Sequence, residues 1–384
     1  MTRKIRLVLF SLLVALCASA RDEYTRAFDK SVPISNGERI SIEHKFGDIV
    51  IHGRPQQNVV VHADIRISAP DTSLAKQYAD QVEILVEPGA GVAIRARYPD
   101  AQRFFGRHDV SFSVRYDLTV PETSPLSVRN AFGTVSVEGV KAPSEIYNSH
   151  GELRFRDGRG AQRLENSFAS VRVSGNAGDV AIENTNGGVD ASGVTGSVTI
   201  RNRFAGVTVA RVSNGVSVTN NNGPVSVVDS GGAGYIKNSF GAVTVRNFRG
   251  DLVLANGYGQ VDASNVTGSV DLKNAFGRVL AEGVTGAIQI RNQNGAIDAY
   301  SSSSGGCKPI TLHTSFSGLR VHLPPEASYR VYAKTSFSHV RSDFPLTVSG
   351  ALSEGEVSGS LGSGQCEMRL TNNNGAIEIL KGNP

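Results

Sequence analysis

Val198-Thr199-Ile200-Arg201-Asn202-Arg203-Phe204-Ala205-Gly206-Val207-Thr208-Val209-Ala210 is the stretch whose reading decides the fold. In Val198–Ile200 and again in Val207–Val209 every second residue is apolar. Each run is therefore a strand with one face in a core and the other in water, and neither is long enough for a helix. Between them lies a corner segment whose small residues tolerate unusual backbone angles. The unit recurs, because Asn202 belongs to a series at a fixed interval of 18: Asn130, Asn148, Asn166, Asn184, Asn202, Asn220, Asn238, Asn256, Asn274 and Asn292. Two positions after every second asparagine stands a phenylalanine, Phe132, Phe168, Phe204, Phe240 or Phe276, and the intervening repeats place His150, Asn186, Asn222, Tyr258 and Asn294 there.

A fixed period with two alternating apolar pairs per repeat is the mark of a stacked solenoid. The expected fold is all-β: a single-chain β-solenoid, or parallel β-helix, with 18-residue coils and irregular β caps. A right-handed winding is expected because the left-handed hexapeptide spacing is absent. Coils stacked about 4.8 Å apart would place the ten asparagines in one column, their amides bonding along the stack. The phenylalanines are expected to form a second, inner column.

Composition is consistent with a β-rich soluble chain: 384 residues, 42 glycines and no tryptophan. Of the formal charge of +4, Arg3, Lys4 and Arg6 supply most, and the near-neutral remainder gives no reason to expect nucleic acid. Those three basic residues precede the apolar run 7–16 and then Ala18-Ser19-Ala20, the pattern of a secretory signal peptide with cleavage before Arg21. A lipoprotein reading of Cys17 is disfavoured by Leu16, where a small residue is wanted. No second apolar stretch offers a transmembrane anchor. The chain thus divides into a signal peptide (1–20), an N-terminal irregular β region and cap (21–126), the regular solenoid (127–300), and C-terminal irregular coils and cap (301–384). Periplasm, cell surface and surrounding medium are all open as its location.

In the N-terminal region Phe46-Gly47-Asp48-Ile49-Val50-Ile51 carries the strand signature, with His44 in the asparagine slot, so it reads as a first coil separated by an insertion. Asp71-Thr72-Ser73 predicts the cap of a short helix running to Gln81. Arg103-Phe104-Phe105-Gly106-Arg107-His108 is a basic and aromatic patch, more simply a loop tucking two rings against the core. Beyond Asn292 the period loosens through Ser301–Gly306, and the coil motif returns at Thr314, Thr335 and Asn372, the last predicted to form the terminal edge.

Two cysteines, Cys307 and Cys366, remain after signal cleavage, and in an exported chain they favour a disulfide. Their motif positions imply separation by two coils, about 9–10 Å, which would be too far for a bridge without bending of the Gly/Ser-rich loops. No paired Cys/His spacing suggests a metal, and no cofactor is expected.

Tyr116-Asp117-Leu118-Thr119-Val120-Pro121, the Phe/Asn-Gly-x-Val-x-Val units, Leu319-Arg320-Val321-His322-Leu323-Pro324 and Asn374-Gly375-Ala376-Ile377-Glu378-Ile379 resemble an exported bacterial family of β-solenoid type, a domain of unknown function labelled "putative adhesin". The resemblance spans nearly the whole chain after residue 20. It implies an adhesin-like or scaffolding protein of the cell envelope and brings no catalytic residues.

Chemistry on a solenoid would have to sit at outward positions. Six places after each asparagine, the aspartates Asp190, Asp262 and Asp298 are never on neighbouring coils. Asp262 and Asp298, about 9.6 Å apart by stacking alone, fall near the separation of about 6.5–9.5 Å used by inverting glycosidases. The alternative to a non-catalytic role is accordingly a polysaccharide-cleaving enzyme. The residues just before each asparagine run from Glu165 and Glu183 to Arg201, Lys237, Lys273 and Arg291. This is an ordinary wet face, or one whose basic half meets acidic glycans, other envelope polymers or surface proteins.

Overall fold

The computed structural model describes residues 21–99, 110–302, 306–349 and 353–382. The signal segment and the Arg103–His108 patch lie outside the described residues. The chain is a β-solenoid of about 11 turns with coils of about 18 residues. Each turn gives one strand to each of two parallel sheets. The asparagine sheet runs from Leu126–Phe132 through Val198–Phe204 to Ile310–Phe316, and its register pairs Asn130 with Asn148 and so on to Asn274 with Asn292. The second sheet begins with Val135–Glu138 and includes Val207–Val212 and Val243–Phe248. Alternation drives this arrangement: Val198, Ile200, Val207 and Val209 all point inward and are buried.

The asparagine column lies inside, every member buried. Each of the nine amides from Asn130 to Asn274 donates from Nδ2 to the carbonyl three residues on, at 2.9–3.3 Å, which closes its own corner. The same nitrogen also joins coils, in two ways. Asn148, Asn166 and Asn184 reach back to the corner carbonyl of the preceding coil, at Gly133, Gly151 and Ala169. From Asn202 to Asn274 each amide instead reaches forward to Oδ1 of the next asparagine, at 3.2–3.3 Å.

The corner residue takes a positive φ, as at Gly151 (124°) and Ala205 (80°). A Cβ on Gly151 would come within 2.1 Å of the Gly133 oxygen, so this corner requires glycine. Nine residues after each asparagine from Asn130 to Asn274 a second column is left-handed, with φ of 52–55° at Asp157, Arg211, Asp229, Asn247 and Asn265. Three of these bond outside the core, Asn247 Nδ2 to Asp229 Oδ1 and Asn265 Nδ2 to Asn247 Oδ1.

Phe132, Phe168, Phe204, Phe240 and Phe276 do not form an inner column. They are 41–50% exposed. Period-two counting from an inward asparagine points the residue two places later inward, but the chain is already turning there. The corner closed by the amide swings that side chain outward, where rings stack on the coil above and below. Phe46, Phe132, His150 and Phe168 form one such stack, at 4.5–5.6 Å between centroids, and Phe240, Tyr258 and Phe276 another, at 4.7–5.0 Å.

At the N-terminal end Ile40–Phe46 and Ile49–Arg54 are the first coil, pairing His44 with Asn130 and Ile51 with Val137. The insertion after it folds back outside that coil. Ser111–Pro121 adds in parallel to one sheet and Gly91–Arg97 to the other, and each then acquires antiparallel strands, Asn58–Ala69 with Asp22–Pro33, and Glu83–Gly89. Helix α1 (Thr72–Gln81) closes the opening with Ala75, Tyr78 and Ala79 buried, and Asp71 caps it by accepting from the Leu74 amide at 2.8 Å.

The C-terminal end departs from sequence order. Cys366–Asn374 pairs with Ile310–Phe316 on one side and with Tyr329–Thr335 on the other, so the last coil is inserted and is not the terminal edge. The column records the true order: Thr314 Oγ1 bonds the Gly295 carbonyl, Asn372 Nδ2 that of Ser317, and Thr335 Oγ1 that of Gly375. The edge beyond Tyr329–Thr335 is covered by the antiparallel strand Glu356–Leu361. Insertion also removes the distance objection to the disulfide, since Cys307 and Cys366 lie on adjacent coils and are bonded, with Cα atoms 5.9 Å apart.

Two stability measurements follow from the column. Asn238→Ala leaves the Asn220 amide short of an acceptor and Asn256 Oδ1 without its donor, whereas Asn166→Ala removes only bonds to backbone carbonyls. In urea unfolding the first is expected to cost about 1–2 kcal/mol more than the second, and equal losses would show that the side-chain bonds along the stack add nothing. His44 is 7% exposed and packs against Tyr116. Burial strips water from its imidazolium and lowers its pKa from 6.5 to about 4, with backbone carbonyls opposing the shift. Between those values the unfolded chain takes up a proton that the folded chain refuses, so stability falls as pH drops from 6.5 towards 4, by about 3 kcal/mol in all. His44→Asn is expected to flatten that part of the pH profile.

Candidate binding groove

With each asparagine side chain turned inward, the residues immediately before and after it both point out of the same sheet. Repeated on every coil, they make the two walls of an axial groove. Its first stretch, about 920 Å³, has Glu43, Arg129, Tyr147, Glu165, Glu183, Arg201 and Thr219 along one wall and the small Ala131, Ser149, Ser167 and Thr185, then Arg203 and Asn221, along the other. A second stretch of about 550 Å³ continues the same rows with Lys237, Ala255 and Lys273 opposite Ser239, Gly257 and Ala275, and the rings of Phe240 and Tyr258 rise beside it. The groove exists because small residues follow the asparagines, a feature the period of the asparagines does not itself reveal.

Charge changes along it. In the first stretch carboxylates have cationic neighbours: Glu165 bonds Arg163, Glu183 lies 3.4 Å from Arg201, and Arg129 stands over the Tyr147 ring. In the second, Lys237 and Lys273 are exposed, as is Arg291, which continues their row on the next coil, and among the described residues no carboxylate lies within ion-pairing distance of the three. Arg203, on the opposite wall, is likewise exposed and unpaired there. Of the four cations read from the sequence, then, Arg201 is tied to Glu183 and the other three are free. Asp271, two residues before Lys273 on the same strand, accepts from Gln289 Nε2 at 3.4 Å.

Asp262 and Asp298 do not converge. They lie on the second sheet, two coils apart with Leu280 between them. Asp262 accepts from Ser264 and pairs with Arg246 at 3.5 Å. Asp298 is 5% exposed, held by Arg278 at 2.8 Å and Arg320 at 3.4 Å, and Arg320 bonds Glu378 in turn. Its outward position on the strand does not make it solvated, because the two guanidinium groups cover it. Among the described residues no group of three or more His, Cys, Asp or Glu is placed to hold a metal ion, and no helix is long and apolar enough to cross a membrane.

No family model and no curated protein matches the chain. Among solved structures, one named "putative cell adhesion protein" from Clostridium sporogenes ATCC 15579 is similar at 11% identity, covering 94% of this chain and 100% of its own, with a TM-score of 0.19. A "putative adhesin" from Bacteroides fragilis NCTC 9343 is similar at 10% identity, covering 92% of this chain and 97% of its own, with a TM-score of 0.16. Likeness at these scores carries no argument about this chain, whose fold rests on the strand register described above.

Proposed function

We propose that this is an exported, non-catalytic protein of the cell envelope, adhesin-like or scaffolding, that binds an extended surface polymer lengthwise in the groove over its asparagine column. The observation that carries the reading is the groove's form. Its walls repeat coil by coil between Asn130 and Asn292, roughly 45 Å at about 4.8 Å per coil, and suit a linear chain far better than a compact molecule. Export is supported by the basic start, apolar run and Ala18-Ser19-Ala20 of the N-terminal segment, and by a disulfide of the kind that persists in oxidising compartments. On this reading 21–126 and 301–384 are the caps of the binding solenoid at 127–300.

The alternative, a polysaccharide-cleaving enzyme, asks for carboxylates facing one bond with one of them free to take or give a proton. The pairing of Asp298 with two arginines and of Asp262 with Ser264 and Arg246 counts against those residues.

The test uses residues 21–384 and a panel of linear plant and bacterial polysaccharides, with retention measured by affinity electrophoresis and cleavage by the appearance of reducing or unsaturated ends. Retention without cleavage is expected, growing with polymer length. Ser167→Trp and Ala275→Trp fill the groove from its small-residue wall and are expected to weaken retention by about tenfold or more, about 1.4 kcal/mol, with the melting temperature unchanged. Release of new chain ends, abolished by Asp262→Asn or Asp298→Asn, would overturn the proposal in favour of the enzyme.

A further inference from the structure

We infer that the occupant of the groove's C-terminal half, from the Asn202 coil to the Asn292 coil, is a polyanionic polysaccharide whose negative groups are carboxylates. This rests on the polymer-binding reading above and names the class of polymer. The argument begins with what the cations lack. Arg203, Lys237, Lys273 and Arg291 all stand on the two walls, exposed, with no carboxylate of the described chain within ion-pairing distance. Many cations of the solenoid are matched, Arg156 with Glu138, Arg172 with Glu152, Arg201 with Glu183 and Arg278 with Asp298, and of those that are not, Arg159, Arg211 and Arg249 stand singly, away from the groove. A strip where that matching stops leaves a positive field along one line, which a linear anion can neutralise.

Spacing narrows the class. Lys237 and Lys273 are two coils apart, about 9.6 Å, with neutral Ala255 between, and Arg291 follows on the next coil, so the row carries three cations over four coils. Such sparse cations suit a chain whose charges are separated by sugar rings and would leave most of the charge of a densely phosphorylated chain unpaired. Sugars also account for the other features of the strip: the exposed edges of the stacked Phe240, Tyr258 and Phe276 rings along one side, and Ser239, Asn221 and Gln293 as hydroxyl partners beside them. In the N-terminal half Glu165 and Glu183 on the corresponding wall are paired with Arg163 and Arg201, so the charges there are balanced and the uncompensated ones of the C-terminal half set where an anionic chain lies.

The measurement compares binding of residues 21–384 to polygalacturonate, to the same polymer fully methyl-esterified, and to inorganic polyphosphate. Tight binding is expected for the first alone, weakening steeply with salt. Lys237→Gln/Lys273→Gln/Arg291→Gln is expected to lose at least about tenfold in affinity, Arg203→Gln alone to lose less, and Lys76→Gln/Arg66→Gln, on the cap, to lose nothing. All these side chains are exposed, and an unchanged melting curve verifies folding. Equal binding of the esterified and free polymers, insensitive to the triple variant but lost in Ala275→Trp, would overturn the carboxylate inference and leave the polymer groove standing. Polyphosphate binding equal to that of polygalacturonate would overturn the polysaccharide class. No retention of any polymer in the panel would overturn both readings together.

Discussion

The buried primary amide at each corner is the interaction on which the rest of the molecule depends. A carboxamide nitrogen has two donors, and a solenoid corner presents two needs: a carbonyl of its own coil turned inward at the bend, and a link to the adjacent coil. Asn148 meets both with Gly151 and Gly133, and Asn220 meets both with Gly223 and Asn238. An aliphatic residue in that slot would leave the inward carbonyl unpaired in the core, at a cost of about 1–3 kcal/mol per coil. Thr314 and Thr335 fill the slot with one hydroxyl donor each, which suffices for one need, and both occur where the regular coils end.

Parallel stacking has no internal reason to stop, so the ends must break it. At the N-terminus the break is a change of strand direction: Asn58–Ala69 and Glu83–Gly89 run antiparallel to their inner neighbours, and α1 lies over the core that remains. Arg26 and Lys30 reach across from Asp22–Pro33 to the carbonyls of Ala79, Val82 and Val86, occupying backbone acceptors at the C-terminal end of α1 and along the strand Glu83–Gly89. At the C-terminus the chain lays down Tyr329–Thr335 one coil too far out, covers its outer side with Glu356–Leu361, and then fills the gap with Cys366–Asn374. The covalent link to Cys307 fixes the inserted coil to the neighbour on which it stacks.

The regular coils were legible because their information is local and repeated. An interval of 18 with two alternating pairs leaves one way to bury every Val and Ile, and His44 could be placed in the asparagine slot by the same pattern. Legibility failed where the deciding fact is not local. Thr314, Thr335 and Asn372 carry the same motif, and nothing within the motif says that the third stacks between the first two. The phenylalanines show a second kind of failure, because parity applies only while the chain is extended and the bend begins one residue after the asparagine. The left-handed column at Asp157, Arg211, Asp229, Asn247 and Asn265 was equally hidden, although several are Asp or Asn, the types that tolerate positive φ best.

The groove is a consequence of the same amide. Turning it inward splays the residues on either side outward, and because the coils are in register, any property of those positions is multiplied along the axis. In-register stacking brings like side chains to about 4.8 Å, so repeated charges of one sign repel unless opposite charges alternate with them or a ligand supplies the balance. Between Glu138 and Arg201 the chain alternates charges across coils, Arg156 to Glu138, Arg172 to Glu152, Arg201 to Glu183. Between Lys237 and Lys273 it separates them with Ala255 and places no carboxylate of the described residues within ion-pairing distance of either. The repeat geometry that makes a convergent catalytic pair difficult to build thus makes a line of cations on successive coils easy to build. A repetitive ligand is the natural complement of such a line.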